Sequence, residues 1–290
     1  MITFPCCKIN LGLNVVARRA DGYHDLETVF YPIPLHDALE ITLMDDRFPS
    51  DVPCDLLTKM RRDNISGQSK NPASLCPEQE NLVVKAYNII ARDRELPRIH
   101  AHLYKSIPSQ AGLGGGSSDA ASMITLLNDQ FCLGLSTGEM ESYASELGAD
   151  CAFFITSRPA YATGIGDRLF PIDTTEDILS GYHLVLVKPD IAVSTGKAYG
   201  MIIPRCPEIC CKDIIKLPIS EWRGLLTNDF EEPVFCMHPE LGDIKRSLYD
   251  LGAEFALMSG SGSTLFGLFK DKPEAVKETF ADCFTAQIKL

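Results

Sequence analysis

The sequence predicts an α+β protein of two domains, and three observations carry that expectation. The chain has 290 residues, enough for two domains, or one large one, with an ample core. Strand-like and helix-like patterns alternate through residues 1–172. A second such pattern begins near residue 173, so the expected division is 1–172 and 173–290.

Composition and charge narrow the class. Hydrophobic residues make up 45% of the chain and charged residues 23%, values of an ordinary globular protein rather than a disordered or fibrous one. No uncharged apolar run is long enough to span a bilayer. Lys8 and Asn10 interrupt the stretch where a signal peptide would need its apolar segment, so a cytoplasmic protein with no membrane partner is expected. The net charge of −12 argues against a general nucleic-acid binder. Eleven cysteines, without a CxxC, read as free thiols in a reducing compartment. Cys206, Cys210, Cys211, Cys236 and His238 could supply zinc ligands, but their spacing matches no common zinc module.

The elements follow in order. KINLGLNVV (8–16) reads as a strand, and the Asp21-Gly22 turn leads into another. Residues 45–80 are polar and rich in Pro, Ser and Asn, and are expected to be a surface loop or insertion. Leu82, Val83, Ala86, Tyr87 and Ile90 recur at helical spacing over 81–96, with Asn81 as N-cap and Pro97 as stop. RIHAHLYK alternates as a strand with one buried face. After the glycine stretch, Ala120, Ala121, Met123, Ile124 and Leu127 form one helical face. Ser136 with Glu139 three residues later predicts a capping box. That helix should bury Met140, Tyr143, Ala144 and Leu147 and end at Gly148, leaving Asp150 just beyond. Residues 158–172 read as a hairpin through TGIGD. The second half offers a strand at HLVLVKP and helices from Thr195 and Pro239. Two strand-like runs then flank the turn Ser259-Gly260-Ser261-Gly262-Ser263.

One stretch carries a chemical message. IPSQAGLGGGSSDAAS (107–122) places Gly112, Gly114, Gly115 and Gly116 between a strand and a helix. Strand, glycine-rich loop and helix N-terminus together make an anion site: backbone N–H groups point outward, the helix dipole adds partial positive charge, and no Cβ blocks the approach of a phosphate. Ser117 and Ser118 add hydroxyls at the helix start. A Walker loop would need GK[ST] at its end, and a dinucleotide fingerprint a third glycine where Ser117 stands, so neither fits. A turn needed only for packing is the alternative.

PSQAGLGGGSSDAA resembles the phosphate loop of the GHMP kinases. KINLGLNV, RADGYHDLETVF, LGADCAFF, KPDIAVSTGKAY and MSGSGSTLFGLF follow in the family's order. The likeness covers nearly the whole chain and is weakest at 45–80 and 200–225. It implies a ribosomal-protein-S5-domain-2-like N-terminal domain and a ferredoxin-like C-terminal domain. It also implies ATP with Mg²⁺ as cofactors. The branch of the family that these motifs follow implies 4-diphosphocytidyl-2-C-methyl-D-erythritol as acceptor, phosphorylated on its 2-hydroxyl in the non-mevalonate isoprenoid precursor pathway. A different hydroxyl acceptor, or a non-catalytic nucleotide-binding regulator, are the competing readings. No nucleic-acid partner is expected, and the chain should be a monomer or weak homodimer.

The resemblance assigns residues to roles. Pro108, Gly112, Leu113, Gly114, Gly115, Gly116, Ser117 and Ser118 would bind ATP, with Ser118 also the one protein ligand expected for Mg²⁺. Lys8 and Asp150 would be catalytic, Asp150 as base and Lys8 keeping it ionised. Asn10, two residues on, shares the face of Lys8. Asn10, Tyr23, His24, Asp150, Thr195 and Tyr199 fall on the acceptor side. Tyr23 would offer a face to a cytosine, His24 a ring nitrogen to its edge, and Tyr199 would close the other side. Lys85 and Lys105 are further candidates for nucleotide contacts. The chain departs from the family pattern at Ala152, where proline is usual, and at Asp167, where glutamate is common.

Overall fold

The computed structural model describes residues 1–48, 52–60, 77–172 and 178–290. Three four-stranded sheets organise them. The first runs β1 (Ile2–Thr3), β4 (Ala38–Leu43), β6 (Ile99–Lys105), β5 (Cys54–Met60). The second runs β2 (Cys6–Arg18), β3 (His24–His36), β7 (Ala160–Thr163), β8 (Arg168–Pro171). The third runs β10 (Phe255–Met258), β11 (Leu265–Phe269), β9 (His183–Lys188), β12 (Phe284–Lys289). Every pairing in this third sheet is antiparallel. Its chain-order pattern 2-3-1-4 is that of the ferredoxin-like split β-α-β fold.

Helices cover the first sheet. α1 (Leu82–Ala91), α2 (Gly115–Phe131) and α3 (Thr137–Leu147) pack Val83, Tyr87, Ile90, Met123, Ile124 and Leu127 against Leu39, Ile41, Ile99 and Leu103. The expected caps are in place: the Asn81 side chain accepts from the Val83 N–H, and Ser136 and Glu139 form a reciprocal capping box. α1 ends at Ala91 rather than running toward Pro97. Along α3 only Ala144 is fully buried, with Met140, Tyr143 and Leu147 packed at the margin. The polar stretch 45–80 is not all loop, because β5 lies within it and pairs parallel to β6 from Cys54↔Ile99 to Met60↔Lys105.

The second sheet has two different faces. Ile9, Leu11, Val29, Tyr31 and Ile33 point to the third sheet and share a core with Leu184, Leu186, Phe255, Leu257, Phe266 and Leu268. This core joins residues on both sides of position 172. The opposite face carries Phe30, Ala160 and Ala162 against Ala121 of α2 and against Phe153 and Phe154 of α4 (Phe153–Thr156). α5 (Thr195–Met201), α7 (Glu231–Met237), α8 (Pro239–Asp250) and α9 (Val276–Thr279) cover the outer face of the third sheet. The short α6 (Cys211–Ile214) closes one edge of the inner core. No helix among the described residues is long and apolar enough to cross a membrane.

Candidate active site

The α2 end of the second sheet gathers chemistry that its sequence separates. Period-two alternation along β2 puts Ile9 and Leu11 into the core and turns Lys8 and Asn10 to the other face. Both are buried, at 3% and 1% exposure. A buried ammonium must be paired and hydrogen-bonded, and this one is. Lys8 Nζ lies 3.3 Å from Asp150 Oδ2, donates to Asn10 Oδ1 at 2.6 Å and sits 4.7 Å from the centre of the Phe30 ring. Asn10 Nδ2 donates to Thr28 Oγ1 (2.8 Å), and the Thr28 hydroxyl donates to the Gly12 carbonyl (2.5 Å). Asn10 therefore uses both ends of its amide on protein groups and orients Lys8.

Asp150 stands two residues beyond Gly148, the C-cap of α3. The turn continues through Cys151 N–H to Gly148 O and Phe154 N–H to Cys151 O. Its side chain keeps 33% exposure against 4% for that of Lys8. The pair thus has a buried cation and a carboxylate open to solvent. Ala152 has a helical backbone at the start of α4.

The glycine loop arches over this pair. Gly114 is the N-cap of α2, which begins at Gly115, ahead of the two serines. The N–H groups of Gly115, Gly116 and Ser117 lie in the first turn and have no intrahelical acceptor. Ser118 donates its N–H to Gly114 O, and its side chain is buried. Gly112 and Gly114 have φ of +73° and +70°, a region that favours glycine. A Cβ on Gly114 would also lie 2.8 Å from the Phe154 ring and 3.3 Å from Lys8 Cε. The Lys8 N–H donates to Leu113 O at 3.0 Å, tying β2 directly to the loop. Pro108 is half-buried at the start of the loop.

The Ser259–Ser263 turn reaches the same place from the second half of the chain. Ser259 Oγ donates to Gly112 O (2.9 Å) and accepts from the Asn10 N–H (3.3 Å). Asn228 holds this turn: its Nδ2 donates to Met258 O and Gly260 O, and its Oδ1 accepts from the Phe230 N–H. No sequence signal marked Asn228 or Thr28: Thr28 finds its partners on β2, and Asn228 holds two carbonyls some 30 residues on.

The aromatic residues arrange differently from expectation. His24 and Tyr199 stack on each other, with centroids 4.8 Å apart and planes at 13°. His24 thus covers one face of the Tyr199 ring. Phe230 meets the Tyr199 ring edge-on at 4.7 Å. Burial, and then the Asp150 charge, push the Tyr199 hydroxyl upward, so Tyr199 feels the Asp150 carboxylate. Tyr23 is 63% exposed. Thr195, at the start of α5, shares a hydrogen bond with Ser261 (2.8 Å).

The sequence pattern of the GHMP kinase N-terminal domain matches residues 81–158, and that of the GHMP kinase C-terminal domain matches 212–285. A Bacteroides fragilis protein named 4-diphosphocytidyl-2-C-methyl-D-erythritol kinase is 50% identical over the full length of both chains. The chain belongs to the GHMP kinases. A Cytophaga hutchinsonii kinase of the same name is 43% identical over 96% of each chain. A crystal structure of 4-(cytidine 5′-diphospho)-2C-methyl-D-erythritol kinase superposes with a TM-score of 0.76 at 30% identity, over 99% of this chain and 98% of that one. A mevalonate kinase, at 14% identity and a TM-score of 0.64 over 99% and 98%, shares the fold. As a GHMP kinase the protein is an ATP-dependent small-molecule kinase of two-domain α+β architecture.

Other candidates do not reach into the site. Lys85 is exposed on α1. Lys105 is buried between two aspartates rather than reaching out to a nucleotide. Cys206, Cys210, Cys211, Cys236 and His238 do not converge. Cys211 is buried beside Asn14, Cys210 faces Asp213, and Cys236 is exposed on α7. The ten cysteines among the described residues are free thiols.

Proposed function

We propose that this GHMP kinase transfers the γ-phosphoryl group of ATP to the 2-hydroxyl of 4-diphosphocytidyl-2-C-methyl-D-erythritol. The observation that carries the reading is the Lys8–Asp150 pair, 3.3 Å apart beneath a glycine loop, in a chain half identical to kinases named for that acceptor. Phosphoryl transfer is mostly positioning and charge stabilisation, and each part has a residue. The loop from Pro108 to Ser118 receives the triphosphate on the N–H groups of Gly115, Gly116 and Ser117. Asp150 accepts the proton of the acceptor hydroxyl. The Lys8 ammonium keeps that carboxylate ionised and offsets charge growing on the transferred group. Asn10 and Phe30 hold Lys8 in place.

Tyr23 presents an open ring face to the cytosine, beside the His24–Tyr199 stack. One base on an aromatic face is worth about 1–3 kcal/mol. Thr195 and the Ser259–Ser263 turn line the acceptor side.

Mg²⁺ would come with the nucleotide. No cluster of three or more His, Cys, Asp and Glu side chains gathers among the described residues. The ion would be held mainly by phosphate oxygens and water, with the Ser118 hydroxyl its one protein ligand. When bound, the ion neutralises charge on the phosphates.

The test is Asp150→Asn. The amide keeps the shape and removes the base, so kcat should fall at least ~10²-fold while acceptor binding is retained. A folded variant with near-normal kcat would remove Asp150 from the mechanism.

A further inference from the structure

Beneath the glycine loop lies a buried ionic cluster that the transfer chemistry does not use. Lys105, the last residue of β6, is 7% exposed, Asp37 1% and Asp119 2%. Lys105 Nζ donates to Asp37 Oδ2, and to Asp119 Oδ2 at 2.6 Å. Asp37 lies between β3 and β4, and its Oδ1 accepts from the N–H groups of Ser106 (2.5 Å) and Ile107 (2.8 Å). Those are the two residues that lead from β6 into the loop. Asp119 sits near the start of α2, the helix into which the loop runs, and its Oδ1 has no hydrogen-bond partner among the described residues. A Cβ on Gly115 would lie 3.4 Å from Lys105 Nζ and 2.9 Å from Ile107 Cγ2.

We propose that Asp37, Lys105 and Asp119 are positioning residues that clamp the two ends of the phosphate loop at the separation ATP requires. Asp37 fixes where the loop leaves β6. Lys105 carries that fix across to Asp119 and so to the first turns of α2. The cluster is an unfavourable choice for stability alone, because one lysine balances only one of two buried carboxylates. A polar cluster kept at that cost is accounted for by the geometry it imposes on the N–H groups above it. The inference rests on the reading of this loop as the ATP site and is independent of which alcohol accepts the phosphate.

Asp119→Ala is the informative variant, since it cuts the tie to α2 and leaves Lys105 and Asp37 as a balanced pair. The readout is the Kd for a non-hydrolysable ATP analogue by calorimetry, with the thermal midpoint measured alongside. Misplacing the cradle by a fraction of an ångström should weaken the analogue roughly 10-fold, with the thermal midpoint unchanged or raised. KM for the acceptor should stay as it is. Asp119→Asn, whose amide oxygen still accepts from Lys105, should restore affinity to within about threefold of wild type. Asp119→Ser, too short to reach Lys105, should behave like alanine and decides the matter should the alanine variant fail to fold. Wild-type analogue affinity in Asp119→Ala or Asp119→Ser, or an Asp119→Asn as impaired as they are, would overturn the clamp. An unmodified protein that binds no ATP analogue would instead overturn the reading of the loop.

Discussion

Replacing Gly112 by alanine tests whether the two halves of the site are interlocked. Gly112 has φ of +73°, where an L-residue costs roughly 1–2 kcal/mol. The added Cβ would overlap the Ser259 carbonyl oxygen and stand 3.0 Å from Ser259 C and 3.1 Å from Gly262 O. All three are backbone atoms, so no side chain can rotate aside. Either the glycine loop or the Ser259–Ser263 turn must move, on the order of 1 Å, and a shift of that size near reacting groups can cost about 10²-fold in rate. Kinetics with ATP varied should therefore show kcat/KM for ATP lower by roughly 10–100-fold, and the thermal midpoint should fall by a few degrees. Gly138→Ala serves as control: that glycine lies within α3 with nothing near its missing Cβ, so alanine there should be neutral or stabilising. A folded Gly112→Ala protein with wild-type kcat/KM for ATP would refute the interlock.

Three further outcomes are expected. Lys8→Met should lower kcat at least ~10²-fold by removing the cation beside Asp150; a change under about threefold in steady-state turnover would contradict its role. Tyr199→Ala should weaken the acceptor by removing the ring on which His24 stacks, with a KM increase of roughly 2–10-fold for one lost aromatic pair, and leave the KM for ATP alone; equal loss for both ligands would point to a folding defect. The Asp119 carboxyl, raised to about 7 by burial, binds its proton more tightly in the folded protein than its ordinary value near 4 allows unfolded. Its contribution to stability is thus fully present below about pH 4 and declines as pH rises toward 7. Asp119→Asn should flatten that part of the profile, which denaturant unfolding between pH 5 and 8 would measure; an unchanged slope would contradict it.

The sequence made some of this structure legible because the signals were local. Asn81 and the Ser136–Glu139 box cap their helices through atoms two or three residues away. The glycine loop announces itself because strand, loop and helix start are contiguous. What it hid depends on distant partners. β5 sits in a polar stretch and is a strand because β6, some 45 residues on, pairs with it. Lys8 among apolar residues looks anomalous until Asp150 arrives from the end of α3. The His24–Tyr199 stack joins elements from the two halves of the chain, which no spacing rule reveals. Asn228 is silent in the sequence for the same reason. Its hydrogen bonds reach 30 and 32 residues along the chain, to Met258 and Gly260.

The most direct test is a coupled ADP-release assay with Mg-ATP, offering 4-diphosphocytidyl-2-C-methyl-D-erythritol alongside mevalonate, homoserine and galactose. Turnover with the cytidylyl compound alone is the predicted result. It would tie the Lys8–Asp150 pair and the His24–Tyr199 side of the cleft to one acceptor. Turnover with another alcohol and none with the cytidylyl compound would contradict the proposed acceptor while leaving the kinase intact.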